Sequence, residues 1–138
     1  MDKLKIGYIC VHNSCRSQIA EALSKKLASD VFESYSAGTD ENDKLNQDAV
    51  RLMKEIYDID IEENQYPKLI DDIPEVDVVI AMGCNVVCPF VKSKYQEDWG
   101  LEDPTGKSDV FFIDTIRQIE RKVLDLKERY LNNEIQFK

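Results

Sequence analysis

The residues best suited to chemistry form one short run, Cys10-Val11-His12-Asn13-Ser14-Cys15-Arg16, directly followed by Ser17. Successive backbone N–H groups in a loop that leads into a helix form a concave site for an anion. Arg16 adds a planar fork that can bind two oxygens of one oxyanion. The same donors favour the thiolate of Cys10, and such settings lower a cysteine pKa from about 8.5 to roughly 3.5–7.5. The run therefore predicts a thiolate nucleophile facing a bound tetrahedral oxyanion, with the Ser17 hydroxyl as a further donor to the sulfur.

The predicted contacts of that oxyanion all lie in the loop, which supplies them mainly through its backbone. They are Val11, His12, Asn13, Ser14, Cys15 and Arg16. The alternative is a buried core cysteine followed by an ordinary helix start with a surface arginine, because short motifs also match by chance. The elements on either side of the loop favour the anion site.

Those elements alternate between apolar, β-rich segments and helical patterns. The predicted strands are Leu4–Cys10, Val31–Ser36, Asp77–Met82 and Tyr95–Trp99, and the predicted helices are Arg16–Ala28, Asn46–Tyr57, a short Lys68–Asp72 and Asp109–Tyr130. Such alternation predicts one α/β domain over residues 1–138, with a four-stranded parallel sheet between two helical layers. Ligands of such sheets bind beyond the carboxyl ends of the strands, where Cys10 and Cys84 both fall.

The composition limits the partners. A net charge of −9 disfavours binding to nucleic acid, which needs lysine and arginine to neutralise phosphates. No apolar run approaches the roughly 20 residues of a membrane helix. The first residues lack the apolar core of a signal peptide, so we expect a cytoplasmic protein, and most simply a monomer.

The loop and several later segments resemble one known family. The resemblance rests on Cys10–Arg16 followed by Ser17-Gln18, on Tyr35–Gly38, on the strand Asp77–Met82 and on the pair Asp103-Pro104. Together these are similar to the low-molecular-weight protein tyrosine phosphatase superfamily, and more narrowly to the thioredoxin-coupled arsenate reductases built on that fold. The resemblance covers nearly the whole chain and implies a phosphatase-like three-layer fold.

The resemblance implies that Asp103 is the acid that protonates the leaving oxygen. A placed acid accelerates such a step by roughly 10²–10⁴-fold. Asp-Pro pairs are also common in turns, which is the alternative role for this residue.

Two late cysteines, Cys84 and Cys88, separate a reductase from a phosphatase. The resemblance to the arsenate reductases implies that Cys84 attacks the Cys10–arsenic adduct, and that Cys88 then forms a Cys84–Cys88 disulfide for an external reductant. In the best-known members the two cysteines lie farther apart, so the order of attack stays open. The alternatives are two small buried hydrophobic residues, or a zinc site made by all four cysteines. For Cys15 we predict a packing role.

A further part of the resemblance concerns a potassium site. Asn13, Glu21 and Ser36 match residues that bind this ion in some arsenate reductases, but Lys68 stands where the site has an aspartate. Because an ammonium group can supply the charge of the ion, we predict no bound metal and no potassium dependence. Asn13 and Ser36 are then expected to fix the shape of the loop.

The sequence thus favours reduction of arsenate to arsenite, with phosphate as a competitor and no bound cofactor. Thioredoxin, or another thiol, is the expected external reductant. The first alternative is a tyrosine phosphatase that hydrolyses phosphate monoesters, and the more remote one is a non-catalytic binder of arsenite or metal. Three features argue against the phosphatase: Thr105-Gly106 in place of aromatic residues after Asp103-Pro104, Gln18 in place of proline, and the late cysteine pair.

Overall fold

The described residues form an α/β fold with four strands and four α-helices. A computed structural model describes residues 3–40, 44–83 and 93–137. The elements in chain order are β1 (Leu4–Cys10), α1 (Arg16–Leu27), β2 (Phe32–Gly38), α2 (Gln47–Tyr57), α3 (Ile61–Asn64), a 3₁₀ turn (Ile70–Asp72), β3 (Val78–Ala81), β4 (Tyr95–Asp98) and α4 (Asp109–Leu131).

The four strands form one parallel sheet in the order β2-β1-β3-β4. The register pairs Cys10 with Gly38 of β2 and Ile9 with Ala81 of β3. The ends of three strands therefore meet at one edge of the sheet, directly below the predicted anion loop. This confirms the predicted fold class, and it places the loop at the carboxyl ends of the strands.

The sheet buries its two faces unequally. Ile6, Tyr8 and Cys10 point from β1 into the main core, which also receives residues of α1, α2 and α4. One side of α4 is buried there, through Phe112, Ile116, Ile119, Val123 and Leu126. On the opposite face, Ile9 and Val79 join a smaller apolar cluster that includes Ile70 of the 3₁₀ turn.

The predicted elements are present, with bounds that differ by a few residues. Asn46, predicted as the first residue of a helix, is instead the N-cap of α2, and its side chain accepts a hydrogen bond from the Ala49 N–H. The helix α3 was not predicted, because its four residues are too few to show a periodic pattern. In the described part of the chain, no helix combines the length and apolar character needed to cross a membrane.

Candidate active site

The predicted loop lies between the end of β1 and the start of α1. Its backbone is tied to the segment after β2, because Thr39 N–H donates to the Cys10 carbonyl (3.2 Å) and Asp40 N–H donates to the Val11 carbonyl (2.9 Å). A Cβ atom at Gly38 would lie only 2.6 Å from the Val11 carbonyl oxygen. The close approach of β2 to the loop therefore requires glycine at position 38.

Arg16 is held in place as a buried clamp beside the predicted nucleophile. Its Nη1 donates to the carbonyls of Met82 (2.8 Å) and Leu101 (2.6 Å), and its Nη2 lies 3.4 Å from Cys10 Sγ. Its Nε–H is buried and has no hydrogen-bond partner among the described residues. An unpaired buried donor is costly, so this nitrogen is suited to bind an oxygen of a ligand placed above Cys10.

One cavity gathers most of the residues predicted to act on the oxyanion. Cys10, Arg16 and Asp103 all lie on its wall. The other predicted contacts on the same wall are Val11, His12, Ser14 and Cys15. The described lining contains no Phe, Tyr or Trp, so this part of the cavity has no ring on which an aryl group could stack.

Asn13 is the one predicted contact residue that is not on this wall. It is fully buried, with a positive φ of 53°. Its Nδ2 donates to Ser17 Oγ (2.8 Å), and its Oδ1 accepts from the Lys68 N–H (3.0 Å). The side chain thus braces the loop from behind, as expected for a residue that fixes the loop shape. Because Ser17 Oγ accepts this bond, the proton of its hydroxyl remains available for another acceptor.

Two glutamines complete the support of the loop, and the sequence did not predict that role for either. Gln18 Nε2 donates to the carbonyl oxygen and Oδ1 of Asn13 (2.9 Å each) and to the Tyr66 carbonyl (3.0 Å). Gln65 Nε2 donates in turn to Gln18 Oε1 (2.7 Å). Both side chains are buried. Buried amides with satisfied hydrogen bonds specify one backbone arrangement, here that of the loop.

A buried carboxylate, Glu21, lies in the same supporting layer. Its Oε1 accepts from the Ser36 hydroxyl and lies 3.5 Å from Lys68 Nζ, and its Oε2 pairs with Lys25. The Lys68 side chain is 11% exposed, whereas that of Lys25 is 45% exposed. A lysine ammonium therefore neutralises Glu21 next to Ser36, where the resemblance would place a potassium ion. Independence of potassium stays a prediction.

The second cysteine of the loop, Cys15, is held as a neutral thiol. Burial raises its pKa to about 12, and the nearby Asp103 carboxylate acts in the same direction. A thiol that stays protonated at neutral pH is neither a nucleophile nor a good leaving group. These properties agree with the packing role predicted for Cys15.

Asp103 has a defined contact at the rim of the cavity. Its Oδ1 accepts from both the backbone N–H (3.0 Å) and the hydroxyl (2.7 Å) of Thr105. Both residues are exposed and line the cavity. The predicted acid therefore shares a cavity with Cys10, and one of its two oxygens is already occupied by hydrogen bonds.

The late cysteines Cys84 and Cys88 lie outside the described residues. Gly83, immediately before them, has a φ of +86° and is packed so closely that a Cβ atom would lie 2.4 Å from the Leu101 nitrogen. Gly83 lines the cavity. Among the described residues, no cluster of three or more His, Cys, Asp or Glu side chains is arranged to hold a metal ion.

Comparison with known proteins defines the family. The profile described as low molecular weight phosphotyrosine protein phosphatase matches residues 5–136. Arsenate reductase 1 of Staphylococcus haemolyticus is 37% identical over 136 residues, which are 93% of this chain and 98% of that protein.

Solved structures agree with this relationship. An arsenate reductase in the phosphate-binding state superimposes with a TM-score of 0.81 at 34% identity, covering 91% of this chain and 98% of the other. The thioredoxin-dependent arsenate reductase of Corynebacterium glutamicum superimposes with a TM-score of 0.75 at 29% identity, covering 95% of this chain and 63% of the other. The chain belongs to the low molecular weight phosphotyrosine protein phosphatase family, on the branch whose relatives are arsenate reductases.

Proposed function

We propose that this protein reduces arsenate to arsenite with Cys10 as the nucleophile. The observation that carries the proposal is the buried Arg16, which reaches Cys10 Sγ with Nη2 and keeps Nε–H without a partner among the described residues. A guanidinium so placed stabilises the thiolate and binds the oxyanion that the thiolate attacks. Relatives named arsenate reductase, one of them solved in a phosphate-binding state, support this choice.

The first step forms the sulfur–arsenic bond. Cys10 attacks arsenate, one As–O bond breaks, and Asp103 gives its proton to the departing oxygen, which leaves as water. Arg16 and the loop N–H groups hold the remaining oxygens. In this step arsenic is still As(V), and the enzyme has lost one thiolate and one proton.

The second step reduces arsenic. The thiolate of Cys84 attacks the Cys10 sulfur, the S–As electron pair stays on arsenic, and arsenite leaves as a Cys10–Cys84 disulfide forms. Exchange with Cys88 gives a Cys84–Cys88 disulfide, which an external dithiol reduces at the cost of two electrons. Thioredoxin is the proposed reductant, because a solved relative is named as thioredoxin-dependent. We place the protein in the cytoplasm, where thiol reductants keep such cysteines reduced.

A coupled assay tests this proposal. Arsenate, thioredoxin, thioredoxin reductase and NADPH are supplied, and NADPH loss is followed for the wild type and for Cys10→Ser, Cys84→Ser and Cys88→Ser. We expect turnover by the wild type and its loss in all three variants. Absence of arsenate turnover in the wild type contradicts the proposal.

A phosphatase is the second candidate, favoured by the family to which the chain belongs. The absence of Phe, Tyr and Trp from the described cavity lining argues for a small inorganic substrate. The assay separates the two, because p-nitrophenyl phosphate hydrolysis should need Cys10 but neither Cys84 nor Cys88. Efficient aryl phosphate turnover without arsenate turnover would favour the phosphatase, and binding of arsenite or metal without any turnover would favour the non-catalytic binder.

A further inference from the structure

Asn46 joins three parts of the molecule, and two of its partners, Ser14 and Thr105, line the cavity. Its backbone N–H donates to the Ser14 carbonyl of the anion loop (2.8 Å). Its Oδ1 accepts from the Ala49 N–H (3.0 Å) as the N-cap of α2. Its Nδ2 donates to Thr105 Oγ1 (3.3 Å), in the segment that carries Asp103. One residue therefore connects the loop of the nucleophile to the segment of the acid.

The direction of these hydrogen bonds is fixed by chemistry. Because Asn46 Oδ1 caps the helix, the atom that faces Thr105 is the amide nitrogen, which can only donate. The Thr105 hydroxyl therefore accepts from Asn46, and its single proton goes to Asp103 Oδ1 (2.7 Å). The Thr105 N–H donates to the same oxygen (3.0 Å).

Two donors on Oδ1 distinguish the two oxygens of Asp103. An oxygen that accepts two hydrogen bonds is a poor site for a proton, so the protonated acid carries its hydrogen on Oδ2. The chain from Asn46 through Thr105 also fixes how far this carboxyl group lies from the loop that holds Ser14 and Cys10.

We propose that Thr105 and Asn46 are positioning residues for the acid step, in which Asp103 Oδ2 protonates the leaving oxygen. The inference rests on the proposed function, since it assigns partners to the acid of that reaction. The chemistry of the acid step is the same as in the proposed function: a proton moves from Asp103 Oδ2 to the oxygen whose bond to arsenic breaks. Neither residue was expected from the sequence to have such a role.

Four variants separate positioning from a structural contribution. Thr105→Val removes the hydroxyl at nearly constant shape and keeps the backbone donor, and Thr105→Ser restores a hydroxyl. Asn46→Ser keeps an efficient N-cap but is too short to reach Thr105. Because misplaced acids lose much of a roughly 10²–10⁴-fold contribution, we expect Thr105→Val and Asn46→Ser to lower kcat by about tenfold. The KM for arsenate should stay within about twofold of the wild-type value, because the anion loop and Arg16 are unchanged.

The fourth variant combines Asn46→Ser with Thr105→Val and tests whether Asn46 acts through the Thr105 hydroxyl. If it does, the second change should lower kcat by less than about twofold once the first is present. Thr105→Ser should retain kcat within about threefold of the wild type. An unchanged kcat in Thr105→Val, a loss seen only in KM, or two effects that multiply in the double variant would overturn the inference.

The same four variants are assayed with phenyl phosphate, whose leaving phenolate also needs a proton. A wild type that hydrolyses phenyl phosphate but does not reduce arsenate would refute the proposed function while leaving the positioning inference measurable. A wild type that turns over arsenate, with variants indistinguishable from it, would refute the inference alone. A wild type that turns over neither substrate refutes both.

Discussion

Replacement of Lys68 by methionine should destabilise the protein, because it removes a positive charge from beside the buried carboxylate below the anion loop. Lys68 Nζ lies 3.5 Å from Glu21 Oε1, and the two side chains are 11% and 5% exposed. Two unit charges at that separation interact by about 5 kcal/mol at an effective dielectric constant near 20. A buried charge left without a partner costs about 3–5 kcal/mol, but Lys25 still pairs with Glu21. From these bounds we expect Lys68→Met to lower the free energy of unfolding by about 2–4 kcal/mol.

Lys25→Met is the matched control, since Lys25 contacts the same carboxylate from an exposed position. Its cost should stay below about 1 kcal/mol, as for exposed ion pairs. Urea unfolding at pH 7 measures both variants. Adding Glu21→Gln to Lys68→Met should recover about half of the loss or more, because the uncompensated charge is removed. Equal costs for Lys68→Met and Lys25→Met would refute the reasoning.

Three further predictions concern the anion loop and its surroundings. Gly38→Ala should abolish protection of Cys10 by phosphate against iodoacetamide, because the new methyl group would lie 2.6 Å from the Val11 carbonyl oxygen; intact protection would contradict this. Cys15 should remain unalkylated between pH 6 and 9 in the native protein, because its pKa is raised to about 12 and the thiol stays neutral below that value; peptide mass spectrometry measures the modification. Arsenate turnover should be equal in KCl and NaCl at matched ionic strength, because Lys68 supplies the cation beside Glu21, and a clear preference for potassium would count against that assignment.

The elements, and the place of the loop between β1 and α1, could be predicted because their signals are local. The strand Leu4–Cys10 has the same bounds in the structure, and α1 begins at Arg16 as predicted. The position of the loop followed from the rule for parallel sheets, which depends on topology rather than on side-chain detail. The short helix α3 carried too little pattern to be found.

The part that Gln18 and Gln65 play in supporting the loop could not be predicted, because it depends on contacts between distant residues. Gln65 reaches Gln18 across 47 positions, and Lys68 reaches Asn13 across 55. Asn13 also adopts a positive φ of 53°, which the sequence alone does not specify. Gln18 was noted in the sequence only as a replacement for proline, and that observation alone did not indicate its contacts with Asn13 and Tyr66.

The rate of Cys10 alkylation by iodoacetamide, measured against pH with and without phosphate or arsenate, tests the central claim most directly. The claim is that Arg16 and the loop N–H groups keep this sulfur ionised and bind an oxyanion beside it. We predict a reaction midpoint well below the pKa of about 8.5 of free cysteine, and strong protection by either anion. A midpoint at the value of free cysteine, with no protection by the anions, would contradict the account.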